Sequence, residues 1–562
     1  MSEVRAGVAA ARVLAERGVR WAFTVPGESF LGMLDALRET PQIRLIPTRH
    51  EGGAAFMAEA VGKLTGVPAL CMGTRGVGAA NLAIGLHTAR QDSTPLIALV
   101  GQVETPVRHR EALQEVDLAP LLGEVTKWAV EAPNGARLPE LAHEAHRRSV
   151  AGRPGPVAIA LRGDILDEPV SAAVPPPSAT PRSGVRPADV AAIVALLAEA
   201  ARPLIIAGGG VTRAGATDLL VAVAEAFGVP VVSAFRRNDA FPNDHPRYLG
   251  SLSFGGPPIA AQRARAADVV LAIGTRLSEM TTLGYTLPTP GTALIHIDVA
   301  PEVLGQTFPA RLALAADAGE ALAALLAVAP GAVAPARAAA NAADRRAYVR
   351  QTTPHATADG AAGAVDPARV IAELQDALPP NAILTVDAGN FWGWVARAYQ
   401  FRRPRTLLGP TSGAMGYAIP AGVAAALVTA GTTPVAALAG DGGFLMTGSE
   451  LAVAAQQGAR LTCIVFDNAR YSTIRLHQER AYPGREAATE LWSPDFVRYA
   501  EAFGGLGIRV ERDRDVRDAL RAALDHPGIA LVSVAADRDR IAVGTRLSDL
   551  GPGSPERSRT RR

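Results

Sequence analysis

An α/β protein built from three doubly wound parallel-sheet domains is the fold this sequence predicts, and three observations carry that prediction. The chain has 562 residues, too many for one hydrophobic core when domains hold roughly 100–200 residues. Short apolar runs of strand length end repeatedly in Gly-containing turns, and each turn leads into an amphipathic helix pattern. Strands that are apolar on both faces belong to parallel sheets covered by helices on both sides. Two stretches rich in Pro, Ala, Ser and Gly, at 171–187 and 329–365, divide the sequence. The expected domains are 1–170, 187–330 and 365–545, and 546–562 reads as a disordered basic tail.

Taken in order, the first 18 residues spread charges through an amphipathic helix pattern, unlike a secretory leader. Strands are expected at 21–25, 43–47, 69–72 and 96–100. Helices at about 29–38, 54–61 and 79–89 lie between them, the last after a Gly-rich turn. The middle segment repeats the theme around 204–207 and 269–273, and the third around 383–386, 435–439 and 462–466. A short charged helix pattern sits at 344–350, inside the second dividing stretch.

Composition removes several functions. A net charge of +2 offers no broad basic field to nucleic acid. Lys63 and Lys127 are the only lysines, and neither sits in a P-loop frame. Cys71 and Cys463 form neither a disulfide framework nor a zinc site by themselves and are expected in cores. The longest Ala/Leu run, 321–329, is too short for a bilayer. A cytoplasmic protein with no membrane or nucleic-acid partner is the expectation.

The most informative stretch is 435–468. A strand runs into Gly440-Asp441-Gly442-Gly443, a helix with a Thr447-x-x-Glu450 capping box follows and stops at Gly458, and the next strand ends in Asp467-Asn468. A right-handed βαβ unit brings both strand ends to one edge of the sheet, so Asp441 and Asn468 converge there. A carboxylate, an amide oxygen and bare glycine backbone suit Mg²⁺ holding a diphosphate. Alone, the same residues read as a tight turn and a helix cap.

With these residues in place the sequence resembles the thiamine diphosphate (ThDP) enzymes, whose signature is this GDG, a spacer of this length and Asn, and among them the large subunits of acetolactate synthase. The resemblance runs over roughly residues 3–540. It implies pyrimidine-binding, central and diphosphate-binding domains in that order. It implies Mg²⁺ on Asp441, the Asn468 side chain and the Arg470 main-chain carbonyl, with the diphosphate against Gly442, Gly443, Gly389 and Asn390. Gly27, Gly76 and Asn81, the latter two in the turn Thr74-Arg75-Gly76-Val77-Gly78-Ala79-Ala80-Asn81, match the pyrimidine side. Met415, beside Gly413 in Ser412-Gly413-Ala414-Met415-Gly416, matches the residue that props the cofactor in its bent form. Glu51, in Arg49-His50-Glu51, matches the glutamate that hydrogen-bonds the aminopyrimidine ring. Read alone, Glu51 is a surface acid at a helix start and Met415 a core methionine. The resemblance also implies a homodimer or homotetramer, with sites where the first domain of one subunit meets the third domain of another. Sequence alone equally permits a site within one chain, and it does not decide on a regulatory subunit.

The second-substrate residues depart from acetolactate synthase. Leu113-Gln114-Glu115 stands where the synthases have Phe-Gln-Glu, so Gln114 is kept and the aromatic wall is lost. Met280 stands where they hold a carboxylate with arginine, with Arg75 and Arg475 as candidate substitutes. His477 replaces a tryptophan and reads either as an acid/base for the acceptor or as a helix-surface histidine without a role. The candidate catalytic residues are thus Glu51, Gln114 and His477. In the middle domain Gly208-Gly209-Gly210, Arg276 and Ile295-His296-Ile297-Asp298 resemble FAD-contacting segments, yet relatives keep this fold with no nucleotide, so FAD stays open. The function expected first is a ThDP- and Mg²⁺-dependent 2-oxoacid decarboxylase and carboligase, with pyruvate or a similar donor. A ThDP-dependent C–C lyase or hydrolase on a diketone or 2-hydroxyacyl substrate is the alternative. Two further readings are a nicotinamide or flavin oxidoreductase, weakened by Arg213 at the last Gly position of GxGxxG, and a non-catalytic protein that keeps the fold.

Overall fold

The computed structural model describes residues 3–171, 176, 179–328, 333–353 and 363–550. Eighteen of its strands form three six-stranded parallel sheets. The first holds β1 (Trp21–Thr24), β2 (Arg44–Pro47), β3 (Ala69–Thr74), β4 (Leu96–Gln102), β5 (Trp128–Glu131) and β6 (Pro156–Arg162), in the order β2-β1-β3-β4-β6-β5. The middle sheet holds β7 (Leu204–Ala207), β8 (Val231–Ser233), β9 (Tyr248–Ser251), β10 (Val269–Ile273), β11 (Ala293–Asp298) and β12 (Leu312–Ala315), in the order β9-β8-β7-β10-β11-β12. The third holds β13 (Ile383–Val386), β14 (Leu407–Leu408), β15 (Val435–Gly440), β16 (Leu461–Asp467), β17 (Leu506–Val510) and β18 (Ile529–Ala535), in the order β14-β13-β15-β16-β18-β17. The outer two sheets therefore share one winding and the middle one has another. The winding changes direction between β1 and β3, between β7 and β10, and between β13 and β15, and the two outer orders also invert at their last two strands; the first kind of switch point opens a ligand crevice beyond the strands' C-terminal ends.

The central strands, such as LIALVGQ in β4 and VAALAG in β15, are buried almost throughout, as their unbroken apolar sequences require. Cys71 and Cys463 are both buried, and burial pushes the Cys463 thiol up to about 12. Among the described residues no helix is long and apolar enough to cross a membrane.

The described residues group into two compact units. One contains the first sheet together with 410–435 and 445–461. The other contains the described residues within 182–409, 436–444 and 462–550. In the first unit α1 (Glu51–Thr65) and α2 (Arg75–Asp92) lie side by side, and α3 (Ala418–Thr429) packs on α1. Residues Ala418–Leu427 of α3 are all buried, so this helix is apolar all round. Tyr417, just ahead of it, meets Phe56 edge-on at 5.5 Å and donates its hydroxyl to Glu59 at 2.5 Å.

Several local expectations are corrected. The helices expected at 54–61 and 79–89 begin earlier, at Glu51 and Arg75, so the Gly-rich segment after β3 is the first turn of α2. Likewise α4 (Asp441–Thr447) starts at Asp441, so the glycines lie in its first turn instead of ahead of it. Thr447 and Glu450 form no capping box. The Thr447 hydroxyl donates to the Gly416 carbonyl at 2.7 Å, and the Glu450 carboxylate accepts from the backbone N–H groups of Arg49 and His50 at 3.0–3.2 Å. The helix that follows does stop at Gly458, whose φ of +63° is the left-handed cap geometry glycine adopts freely. The charged pattern at 344–350 belongs to a longer helix, Pro335–Thr352, with Tyr348 in the middle core. Of 546–550, expected to open a disordered tail, Leu550 lies against Leu476 and Ile541 with Leu547 beside them, while Arg546, Ser548 and Asp549 are exposed; 551–562 fall outside the described residues.

Candidate functional site

Three adjacent strand ends of the third sheet carry most of the polar residues singled out from the sequence. β13 leads into Asp387-Ala388-Gly389-Asn390, β15 into Gly440-Asp441-Gly442-Gly443, and β16 into Asn468-Ala469-Arg470. Asp441 is 3% exposed and accepts hydrogen bonds from Gly442 N at 2.9 Å and from the N–H groups of Ala469 and Arg470, so it faces the 468–470 loop. Burial pushes its carboxyl up to about 6 against the pull of the Gly442 N–H, and neighbouring Asp467 adds to the rise. Asp467 has Arg509 at 3.4 Å, whereas among the described residues no Lys, Arg or His pairs with Asp441. A buried carboxylate without a cation is costly unless something positive joins it. Asn468 spends its Nδ2 on Ser472 Oγ at 2.8 Å, which keeps its amide oxygen for another partner. The Arg470 carbonyl accepts from Ser472 N at 2.9 Å and has a second lone pair. Carboxylate, amide and carbonyl oxygens make a hard donor set that fits Mg²⁺, which takes one or two carboxylates and fills the rest with phosphate oxygens and water.

Packing around this edge explains its glycines. A β-carbon on Gly442 would collide with the Tyr471 ring, and one on Gly443 would sit 2.9 Å from the Asp387 carboxylate. The loop is braced from outside: Tyr471 N donates to Thr489 O and Leu491 N to Ala469 O, while the Arg470 side chain pairs with Glu490. Asn390 is buried and occupied on both sides, giving Nδ2 to Ile541 O at 2.6 Å and accepting from Thr473 Oγ1 at 2.9 Å.

The first sheet builds a second edge at its own switch point, where β1 leads to Gly27 and β3 to Arg75-Gly76. Glu51 is the first residue of α1, just past the N-cap His50, whose Nδ1 accepts from Gly52 N at 2.9 Å. Asn81 on α2 donates its amide to Glu51 Oε2 at 2.9 Å, and Gly78 lies close beside the other carboxylate oxygen. The structure thus joins Glu51 to Asn81. Gly76 N bonds the backbone carbonyl of Gln114 at 3.1 Å, but the Gln114 side chain is exposed on a backbone with φ +62°. Met415 is half-buried between Gly413 and Gly416, both at positive φ, and a β-carbon on Gly413 would enter open space. That segment is fastened by Asp92, which accepts from Thr411 N, and by Thr88 and Ser412, whose hydroxyls meet at 3.0 Å.

Other sequence candidates are exposed, packed in a core or held in ion pairs. His477 is exposed on α5 (Ser472–Ala481), and Leu113 is 71% exposed. Met280 packs against the core of the third domain. Arg75 pairs with Glu28 at 3.1 Å, and Arg475 with Glu479 and Glu486 at 2.8 and 3.1 Å. In the middle domain the triple glycine has a structural cause. β-Carbons on Gly208 and Gly210 would collide with Gly274, and one on Gly209 would sit 2.7 Å from Arg237 Nε. The turn therefore gives no separate support for a nucleotide.

Sequence reading missed four participants. Glu450, buried, holds the two N–H groups just before Glu51, and a β-carbon on Gly53 would run into it. Lys63 sits between buried Glu59 and Asp92, 2.9 Å from each, over the Tyr417 ring. Asp387 backs Gly443, and Arg236 reaches the end of β13. Only the Glu59–Lys63 pair, charges four apart on an apolar helix, left a signal in the sequence.

Known proteins agree with this geometry. The chain matches the thiamine pyrophosphate enzyme N-terminal TPP binding domain over residues 4–121, the central domain over 190–325 and the C-terminal TPP binding domain over 387–534. It is 32% identical to an acetolactate synthase of Mycobacterium bovis, over 98% of this chain and 92% of that protein. It is 32% identical to a probable acetolactate synthase large subunit of Methanocaldococcus jannaschii, over 91% and 88%, and 31% identical to a catabolic acetolactate synthase of Raoultella terrigena, over 93% of each. With three domains matched in order and relatives aligned from end to end, the chain belongs to the thiamine pyrophosphate enzyme family and is an acetolactate synthase-like member of it.

Proposed function

We propose that the protein binds ThDP with Mg²⁺ and acts as a 2-oxoacid decarboxylase and carboligase, with pyruvate or a similar 2-oxoacid as donor. The observation that carries this reading is Asp441, a buried carboxylate with no Lys, Arg or His paired to it among the described residues, aimed at the 468–470 loop from the neighbouring strand end. Asp441, Asn468 and the Arg470 carbonyl would hold the metal, with Gly442, Gly443, Gly389 and Asn390 beside the diphosphate. Gly27, Gly76, Gly413 and Met415 would line the ring end. When bound, ThDP supplies the electron sink that lets a 2-oxoacid lose CO₂. Glu51 would hold and move a proton at its Oε1, while Asn81 fixes Oε2. We further propose the limits 1–170, 187–330 and 365–545 for the three domains, and a homo-oligomer in which Glu51 of one subunit and Asp441 of another serve the same site. FAD stays an open part of this reading: packing within the middle domain already accounts for Gly208–Gly210, and no step is routed through a flavin.

The acceptor side favours a second reading. Met280 is spent on core packing, Leu113 is exposed, and Arg75 and Arg475 are paired with glutamates, so neither substitute arginine is set aside for a second carboxylate. A C–C lyase or hydrolase needs no such arginine. Gln114 and His477 stay as candidates for contact with the second substrate in either reading. The experiment is to incubate the protein with ThDP, Mg²⁺ and pyruvate, with and without FAD, and to quantify CO₂ and acetolactate. Acetolactate supports the synthase reading. CO₂ alone keeps pyruvate as donor and changes the acceptor. No turnover in a protein that binds ThDP transfers the weight to the lyase.

A further inference from the structure

Arg236 belongs to the middle domain yet serves the third. It follows β8 by three positions, is 2% exposed and has φ +53°, a region that non-glycine residues occupy at a cost. Its guanidinium reaches the C-terminal end of β13, where Nη1 donates to Val386 O at 3.1 Å and Nη2 to Asp387 O at 2.9 Å. It lies 4.8 Å over the Trp392 ring and 5.6 Å from that of Phe235. Gly409 leaves room for it, since a β-carbon there would stand 2.7 Å from Nη1. Burying a guanidinium on a strained backbone is expensive, and these contacts hold it in one place with its fork on two successive carbonyls.

Those carbonyls end the strand that turns into Gly389-Asn390, while the Asp387 side chain backs Gly443. A fixed positive charge therefore stands behind the turn at the switch point between β13 and β15. We propose that Arg236 is a positioning residue for a diphosphate at this edge: it locks the end of β13 in register and biases the local field toward an anion. The inference rests on the ThDP reading of the site.

The test uses full-length Arg236→Met and Arg236→Lys. Affinity for ThDP and for thiamine is measured by calorimetry with Mg²⁺, alongside the urea midpoint of each apoprotein and kcat at saturating ThDP. The expected result is a ThDP Kd raised about 10- to 100-fold in Arg236→Met, as for loss of charged hydrogen bonds. Thiamine affinity should be unchanged, kcat at saturation near wild type, and Arg236→Lys intermediate. A ThDP Kd within about twofold of wild type in both variants, or equal losses for ThDP and thiamine, would overturn the proposal, because a purely structural arginine does not distinguish the two ligands. If Arg236→Met does not fold, Arg236→Lys decides by the same ratio. Wild-type protein that fails to bind ThDP would sink the site reading and this inference together; normal wild-type binding with unaltered variants would sink this inference alone.

Discussion

Asp441 and Glu450 are both buried carboxyls, and their surroundings give them different work. Asp441 accepts from the N–H groups of Gly442, Ala469 and Arg470 and, among the described residues, pairs with no Lys, Arg or His, so a metal ion is the charge that would complete it. Asp441→Ala should weaken Mg²⁺-dependent ThDP binding at least about 10-fold in calorimetry; unaltered affinity would remove it from the metal set. Glu450 instead receives two backbone N–H groups, and burial raises its carboxyl to about 7. The folded state therefore holds this proton more tightly than the unfolded chain, whose carboxyl titrates near the ordinary 4.5. Its stabilising contribution is full below that value and is lost as pH rises through about 7, at most about 3 kcal/mol. The thermal midpoint of the apoprotein should fall between pH 5 and 8, and Glu450→Gln should flatten that slope. A variant with the wild-type slope would mean that another group carries it.

Among the elements, strands were the most legible. Those at 204–207, 269–273 and 383–386 fall where apolar runs place them, because a buried parallel strand needs little beyond two apolar faces. Helix starts were less legible. Arg75 takes φ +46° and Asp441 enters α4 directly, choices fixed by neighbouring strand ends. The interface of α1 with α2 and α3 was illegible, since its polar partners lie far apart in sequence. Lys63→Met removes the cation between Glu59 and Asp92 and should cost about 3–5 kcal/mol in urea unfolding. Adding Glu59→Gln and Asp92→Asn should recover part of the loss. No shift in the urea midpoint would mean the ion pairs contribute little.

For the whole molecule, the two carboxylates assigned to one reaction lie in different compact units, Glu51 in the first and Asp441 in the second. The proposed sharing of sites between subunits leads to an expectation. Glu51→Gln and Asp441→Ala should each be inactive alone. Mixed and allowed to exchange subunits, they should regain about a quarter of wild-type activity, since half the dimers are mixed and each mixed dimer has one intact site. Absence of any regain, with exchange confirmed by mass spectrometry, would place the site within one chain.

By itself the sequence determined the three parallel-sheet domains, the family, and the convergence of Asp441 with Asn468, because apolar periodicity and right-handed crossovers are local rules that fix which strand ends share an edge. It also pointed to Glu51 and Asn81. Tertiary structure alone decided that Glu450 would hold the chain before Glu51 and not cap its own helix. It alone set Lys63 between Glu59 and Asp92, and it sent Arg236 from the middle domain to the end of β13. Each of these is a buried charge whose partner is chosen by the approach of distant elements, and no local pattern records where a neighbouring backbone will leave an unpaired donor or acceptor.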